Sequence, residues 1–291
     1  MKSRGLLARS MLVLGLVFLY VPIVSMMVFS FNNSRLVTVW DAVHSPTLKW
    51  YHALLHNEQI LGAAFLSIRI ALISASAAVV LGTLAGMALA RFGPFRGRLL
   101  LAGMTTAPIV MPEVITGLSL LLLFVAMGQL IGWPRGAGAI TITLAHVTFC
   151  MAYVTVVVQS RLTGFDESLE EAAMDLGARL PQVVWHVILP QVRLPLLAAG
   201  AFAFIISFDQ LETTLFLVRP GMMTLPVRMF LYMETFQDPT MAALSTILIL
   251  GAAAGLLLFG LVLHRREAEA ARVLRAGFPA AGPTVGAPEQ P

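Results

Sequence analysis

The sequence predicts an all-α integral membrane fold, with six transmembrane helices and one short helical loop on the cytoplasmic side. Three observations carry that prediction. Hydrophobic residues make up 58% of the chain and charged residues only 12%, against about a quarter charged in a soluble domain. The apolar residues gather into runs of about 18 or more, long enough to cross a bilayer as a helix. The Lys and Arg residues are divided unequally between the segments joining those runs.

The six runs are 11–31, 63–90, 99–127, 139–160, 194–218 and 241–264. The first exceeds a signal-peptide core, and no small-x-small site follows before Asn32, so it reads as an uncleaved span. Of the nineteen Lys and Arg residues, thirteen fall on the side that holds both termini, five on the other, and Arg69 within the second run. Positive charge is retained in the cytoplasm. Residues 1–10 are therefore a cytoplasmic N-terminus, 11–264 the transmembrane domain, 161–193 a cytoplasmic loop and 265–291 a cytoplasmic tail. The tail is rich in Gly, Pro and Ala after Arg275 and is expected to be disordered. The external segments are 32–62, 128–138 and 219–240. Trp40, Trp50 and Tyr51 in the first suit a membrane interface or a docking surface.

Several function classes drop out. The net charge of +4 and pI near 9.7 are a topology signal, since no basic stripe with interleaved aromatics marks a nucleic-acid footprint. Cys150 is the single cysteine and lies in an apolar run, so it reads as core. His44, His52 and His56 are irregularly spaced surface histidines, and His146 reads as a core hydrogen-bonder. No metal site or cofactor is expected. No GxxxxGK[ST] loop is present and no nucleophile–base motif either, so the chain is expected not to be an enzyme.

The cytoplasmic loop carries the most specific signal. In Asp166-Glu-Ser-Leu-Glu-Glu-Ala-Ala-Met-Asp-Leu-Gly177, residues Leu169, Ala172, Ala173 and Leu176 repeat at helical spacing. Asp166 can cap the start, Ser168-x-x-Glu171 fits a capping box, and Gly177 stands where a left-handed cap ends a helix. A second short helix is expected from Pro181, with Val183, Val184, Val187 and Ile188 on its apolar side and Pro190 ending it. By residues alone this is either a solvated interfacial hairpin or a docking helix.

Three acids lie within the runs, where ionisable groups are costly: Glu113 in the third, Asp209 and Glu212 in the fifth. At 1.5 Å per residue Glu113 and Asp209 sit about 21–23 Å along their spans, and Asp209 and Glu212 share a helix face. The acids read either as a cation pathway or as protonated or paired structural groups, with Arg69 a partner or a residue reaching the outer interface. Pro108, Pro112 and Gly117 interrupt the third span, for a cavity or as a packing kink.

Glu171-Ala-Ala-x3-Gly177-x9-Val187-x-Leu189-Pro190 resembles the EAA signature of ABC importer permeases, with Val187 where that family usually has Ile. The resemblance implies the type I ABC importer permease fold and a coupling role for Glu171, Ala172, Ala173, Gly177, Leu189 and Pro190. It also implies a cytoplasmic ATPase dimer that receives this helix in a groove, a second permease subunit of similar fold and an external substrate-binding protein, all at a bacterial inner membrane. Phe31-Asn-Asn-Ser-Arg-Leu-Val-Thr-Val-Trp40, Met111-Pro-Glu-Val-Ile-Thr-Gly-Leu-Ser119 and Leu144-Ala-His-Val-Thr-Phe-Cys150 are similar to the putrescine branch of polyamine permeases. That branch has an acid at the Glu113 position and two aspartates where this chain has Asp209 and Gln210. Uptake of a polyamine, putrescine before spermidine, is the expectation. The alternatives are an ABC permease for ferric iron, thiamine or an oxyanion, the last disfavoured by the acids, or a standalone secondary transporter.

Overall fold

A computed structural model describes residues 2–36 and 39–277. The chain forms two units, one of residues 1–54 with 237–291 and one of residues 55–236.

In the first unit, α1 (Lys2–Phe29) leads into a loop, expected to be external, and α2 (Lys49–Leu55), and α12 (Thr240–Gly277) is the last helix. The loop is built around Asn32, whose side-chain amide donates to the Val39 carbonyl at 2.7 Å while its carbonyl oxygen accepts from the Asp41 N–H at 3.0 Å. Trp50 is buried and its indole N–H donates to the Asn32 carbonyl at 2.6 Å. The Tyr51 hydroxyl pairs with Ser30 Oγ at 2.6 Å. Trp50 and Tyr51 are thus part of the loop's own core, and only Trp40 of the three stands exposed. Asp41 accepts from the Asn33 side chain and from the backbone of His44, which holds its carboxyl near 2 instead of 3.8. Where the tail was expected to begin, α12 runs on to Gly277. Residues 265–275 read Arg-Arg-Glu-Ala-Glu-Ala-Ala-Arg-Val-Leu-Arg, mostly strong helix formers that continue a helix outside the apolar run. Residues 278–291 lie outside the described residues.

The second unit is a bundle centred on α3 (Glu58–Arg91), α6 (Ala139–Thr163) and α9 (Leu189–Asp209). Asn57 starts α3 by accepting from the N–H groups of Gln59 and Ile60, an ordinary N-cap. The three helices meet through small residues and Val: Ala75 and Ala78 of α3, Val154 and Val158 of α6, Ala199 and Ala203 of α9. Small residues allow the close backbone approach that holds helices together where the solvent is apolar. Gly82 and Gly86 show how close: a Cβ on them would stand 2.7 and 2.9 Å from the Cβ atoms of Val154 and Val158. Cys150 is buried in this core, as expected, with its thiol 3.3 Å from the Ala203 carbonyl.

Two of the expected spans are broken. The third divides into α4 (Arg98–Val110) and α5 (Glu113–Ile131), with Met111 and Pro112 extended between them. Pro112 removes an N–H and pushes the residue before it out of helical geometry. Pro108 stays inside α4, and Gly117 inside α5, so neither interrupts the chain. The fifth span ends at Asp209; Gln210 is extended and the short α10 (Glu212–Leu215) follows. The expectation of one helix reaching 218 is therefore wrong, and so is the shared helix face for Asp209 and Glu212. The segment that follows contains α11 (Leu225–Thr235).

The loop between the fourth and fifth expected spans forms α7 (Ser168–Asp175) and α8 (Leu180–Val183). Pro190 does not end the second helix. A π-helical turn over Val184–Ile188 joins α8 to α9, and the Leu189 N–H reaches back to the Val184 carbonyl. The wider turn gives the Pro190 ring room where a tight α-turn would set it against the carbonyl four residues earlier.

Candidate functional site

Two constellations lie in the second unit. The first forms where the two broken spans meet. Glu113 opens α5 immediately after Pro112, Asp209 closes α9, and Glu212 opens α10. Gln210 and Thr213, the residues next to Asp209 and Glu212 in the chain, both bond to Glu113, so the three acids singled out in the sequence are neighbours. Asp209 and Glu212 are exposed within the chain and Glu113 is half-buried. Arg69 is exposed on α3 and forms no ion pair among the described residues, so it is not their partner.

The break after α9 leaves the Gln210 carbonyl outside helical geometry, and a polar group freed inside a membrane demands an internal partner. Two threonines bond across the place where the broken spans meet. Thr213 Oγ1 donates to the Glu113 carbonyl at 3.3 Å and Thr214 Oγ1 to the Gln210 carbonyl at 2.8 Å. The buried Gln210 amide donates to Glu113 Oε2 at 3.0 Å and to Thr213 Oγ1 at 3.1 Å. An aspartate at position 210 would present Glu113 with a like charge; glutamine gives it a donor. Behind this layer His146 of α6 is buried, with Nδ1 2.8 Å from Ser207 Oγ and Nε2 2.8 Å from Thr214 Oγ1. It is the core hydrogen-bonder the sequence suggested, and it ties α6 to both sides of the break. Gly117 completes the contact. A Cβ there would lie 2.9 Å from Thr213 Cα, so only glycine lets α5 approach α10 this closely.

Gln210, Thr213, Thr214 and Ser207 were not legible as site residues. Met111-Pro112 is a sequence signal for the first break. Nothing comparable marks Gln210, where Asp, Gln, Leu, Glu and Thr are all compatible with a helix.

The second constellation is the α7 hairpin. Asp166 Oδ1 accepts from the Ser168 N–H at 3.0 Å, which holds the Asp166 carboxyl below its usual range and caps α7. The capping box read from Ser168 and Glu171 does not form, because Ser168 is already the first helical residue. At the other end Gly177 has φ +87°. Its N–H meets the Met174 carbonyl at 2.9 Å and the Ala178 N–H the Ala173 carbonyl at 3.0 Å. These are the two bonds of a Schellman cap, as the glycine predicted. Ala173 packs against the core formed by α3, α6 and α9, and Leu189 joins it. Glu171, Ala172 and Pro190 face outward. Leu169, Met174, Leu176, Leu180 and Trp185 are exposed too, Leu176 at 90%. Such an apolar set beside charged residues is what a partner surface covers.

Broken spans that meet around acids, with an exposed helical hairpin between two other apolar helices, fit a membrane transport permease. The chain matches over residues 78–267 the family described as binding-protein-dependent transport system inner membrane component, and it belongs to that family. It is 48% identical over 241 residues to the putrescine transport system permease protein PotI of Escherichia coli K12, covering 83% of this chain and 84% of that one. It is 36% identical over 233 residues to the spermidine/putrescine transport system permease protein PotC of the same strain, covering 80% and 84%. Among solved structures, a bacterial ABC transporter involved in import of the acidic polysaccharide alginate matches with TM-score 0.63 at 14% identity, over 90% of this chain and 96% of that one. The MetNI methionine ABC transporter matches with TM-score 0.55 at 16% identity, over 69% and 92%. These last two share the fold. The protein is a permease subunit of an ABC importer and a multi-pass inner-membrane protein.

Proposed function

We propose that this permease passes a polyamine, putrescine before spermidine, across the membrane past Glu113, Asp209 and Glu212. The observation that carries the substrate is the gathering of these three carboxyls at two helix breaks. A cationic amine sheds water on entering a span, and carboxylates replace that water. The names of the two Escherichia coli relatives support the same class of solute, and an oxyanion would meet repulsion here.

Energy enters through α7. A cytoplasmic ATPase dimer, on separate subunits, takes α7 with its exposed apolar neighbours. Glu171, Ala172 and Gly177 lie on the docking surface, and Ala173, Leu189 and Pro190 link it to α9. An external binding protein delivers the solute, and a second permease of similar fold completes the pathway. Both termini face the cytoplasm, a reading supported by thirteen positive charges against five.

The test is uptake of labelled putrescine, spermidine and thiamine by the complex in proteoliposomes, with Asp209→Asn alongside. Putrescine uptake is expected, reduced about tenfold in the variant, the scale of one lost charge-assisted contact. Thiamine uptake without putrescine uptake sinks the substrate and leaves the permease standing.

A further inference from the structure

Arg91 was counted in the sequence only as a topology charge. In the structure it is the last residue of α3 and its side chain is only 8% exposed. Its Nε donates to Glu170 Oε1 at 2.8 Å, its Nη1 to Glu167 Oε1 at 2.9 Å and its Nη2 to the Phe165 carbonyl at 3.3 Å. Glu170 is nearly buried, with 13% of its side chain exposed, whereas Glu167 is 66% exposed. The guanidinium thus uses its fork to hold three points of the segment that leads into α7. A cation at the end of α3 also suits the negative pole of that helix. Arg98 braces the same end, its Nη2 donating to the Leu89 carbonyl at 2.9 Å.

The other end of α3 is tied as well. Ser67 Oγ accepts from the Leu225 N–H at 2.7 Å, a buried bond at the first residue of α11. Between these ties, from Ser67 to Arg91, α3 has no proline and runs about 36 Å. Its Gly82 and Gly86 seat it against Val154 and Val158 too closely for independent sliding. A helix without a kink site moves as one piece.

We infer that Arg91 is a positioning residue for energy coupling: it clamps the start of α7 to α3, so that displacement of α7 is passed along α3 to the external α11. This rests on the reading of α7 as the ATPase docking helix. The covalent route from α7 to α9 crosses the π-helical turn, a softer link, whereas the Arg91 route joins α7 directly to a long unbroken helix.

The test uses the complex recovered through this chain with its ATPase, reconstituted in proteoliposomes, and measures ATP hydrolysed per putrescine transported. Arg91→Ala is expected to raise that ratio at least about tenfold, the scale of a lost coupling term, with the ATPase still co-purifying. Glu170→Gln is expected to do the same and the double variant no more, since both remove one interaction. Glu167→Gln, at the exposed acid, should change the ratio less than twofold, and Arg91→Lys should recover part of it. A ratio within twofold of the parent for Arg91→Ala overturns the inference. So does loss of ATPase association in that variant without recovery in Arg91→Lys, which makes the residue a plain structural pin. Leu176→Asp is the separate check on docking. If the ATPase stays bound to it, the docking reading fails, and the clamp falls with it whatever Arg91→Ala does.

Discussion

The hairpin around α7 and the acid site at the two helix breaks are built by opposite means. The backbone turns that open and close α7 are local: Asp166 accepts from the Ser168 N–H, and Gly177 closes on Met174 two residues past the helix. The acid site is assembled from afar. Glu113 and Gln210 are 97 positions apart, and His146 is 61 from Ser207 and 68 from Thr214. The hairpin displays its side chains, and none of α7 is buried. The acid site sets Glu113 against the buried Gln210 amide and Thr213, with the His146 imidazole bonded behind them to Ser207 and Thr214. An exposed hairpin leaves most of its polar groups to solvent and has mainly its own turns to satisfy. A polar site inside a membrane must satisfy every donor and acceptor it breaks open.

That contrast is sharpest at Gly177. Gly177→Asp puts a side chain at φ +87° and a negative charge at the negative pole of α7. Uptake is expected to fall by about tenfold or more while hydrolysis continues, a coupling loss of the usual 1–3 kcal/mol. The protein should still reach the membrane at parental level, because nothing lies within 4 Å of the added Cβ. Equal uptake by the variant, with the ATPase bound, breaks the docking reading.

Gly117 makes the converse case. Gly117→Val forces a side chain against the Thr213 backbone, at a cost of about 1–3 kcal/mol of overpacking. The expected result is a lowered melting temperature of the solubilised permease together with weaker uptake. Association with the ATPase should survive, since the hairpin is untouched. An unchanged melting temperature shows that α5 and α10 do not meet as closely as the carboxyl site requires.

The smallest effect lies outside both regions, in the external loop. Asp41 is held near 2 instead of 3.8. A depressed folded value means its contribution is present above about pH 4 and is lost as pH falls through about 2. Tryptophan fluorescence, with Trp40 adjacent and Trp50 in the loop core, should therefore hold steady down to about pH 4 and change below it. In Asp41→Asn that change should be absent.

Much of the molecule was legible in the sequence. Hydropathy showed the runs, and the charge division suggested their orientation. Gly177, Asp166 and the spacing from Glu171 to Pro190 announced the hairpin. The error at Pro190 arose because proline was taken as a stop, while a π-turn let the chain go on. Glu113, Asp209 and Glu212 were visible as acids in apolar surroundings, and their similar depth was expected, though on continuous helices. Arg91 was hidden because one more arginine at a cytoplasmic span end looks like any other.

Sequence pattern thus decides what each segment is, since hydropathy, capping and the left-handed glycine act over a few residues. Tertiary structure alone decides where α9 breaks and how it meets α5. There Thr214 meets the Gln210 carbonyl, Thr213 the Glu113 carbonyl and Gln210 the Glu113 carboxylate, with His146 bonded to Thr214 behind them. None of those partners is near its acceptor in the chain apart from Thr214. The same holds for the clamp: Arg91 meets Glu170 across 79 positions, and only the packing of α3 against α6 brings them together.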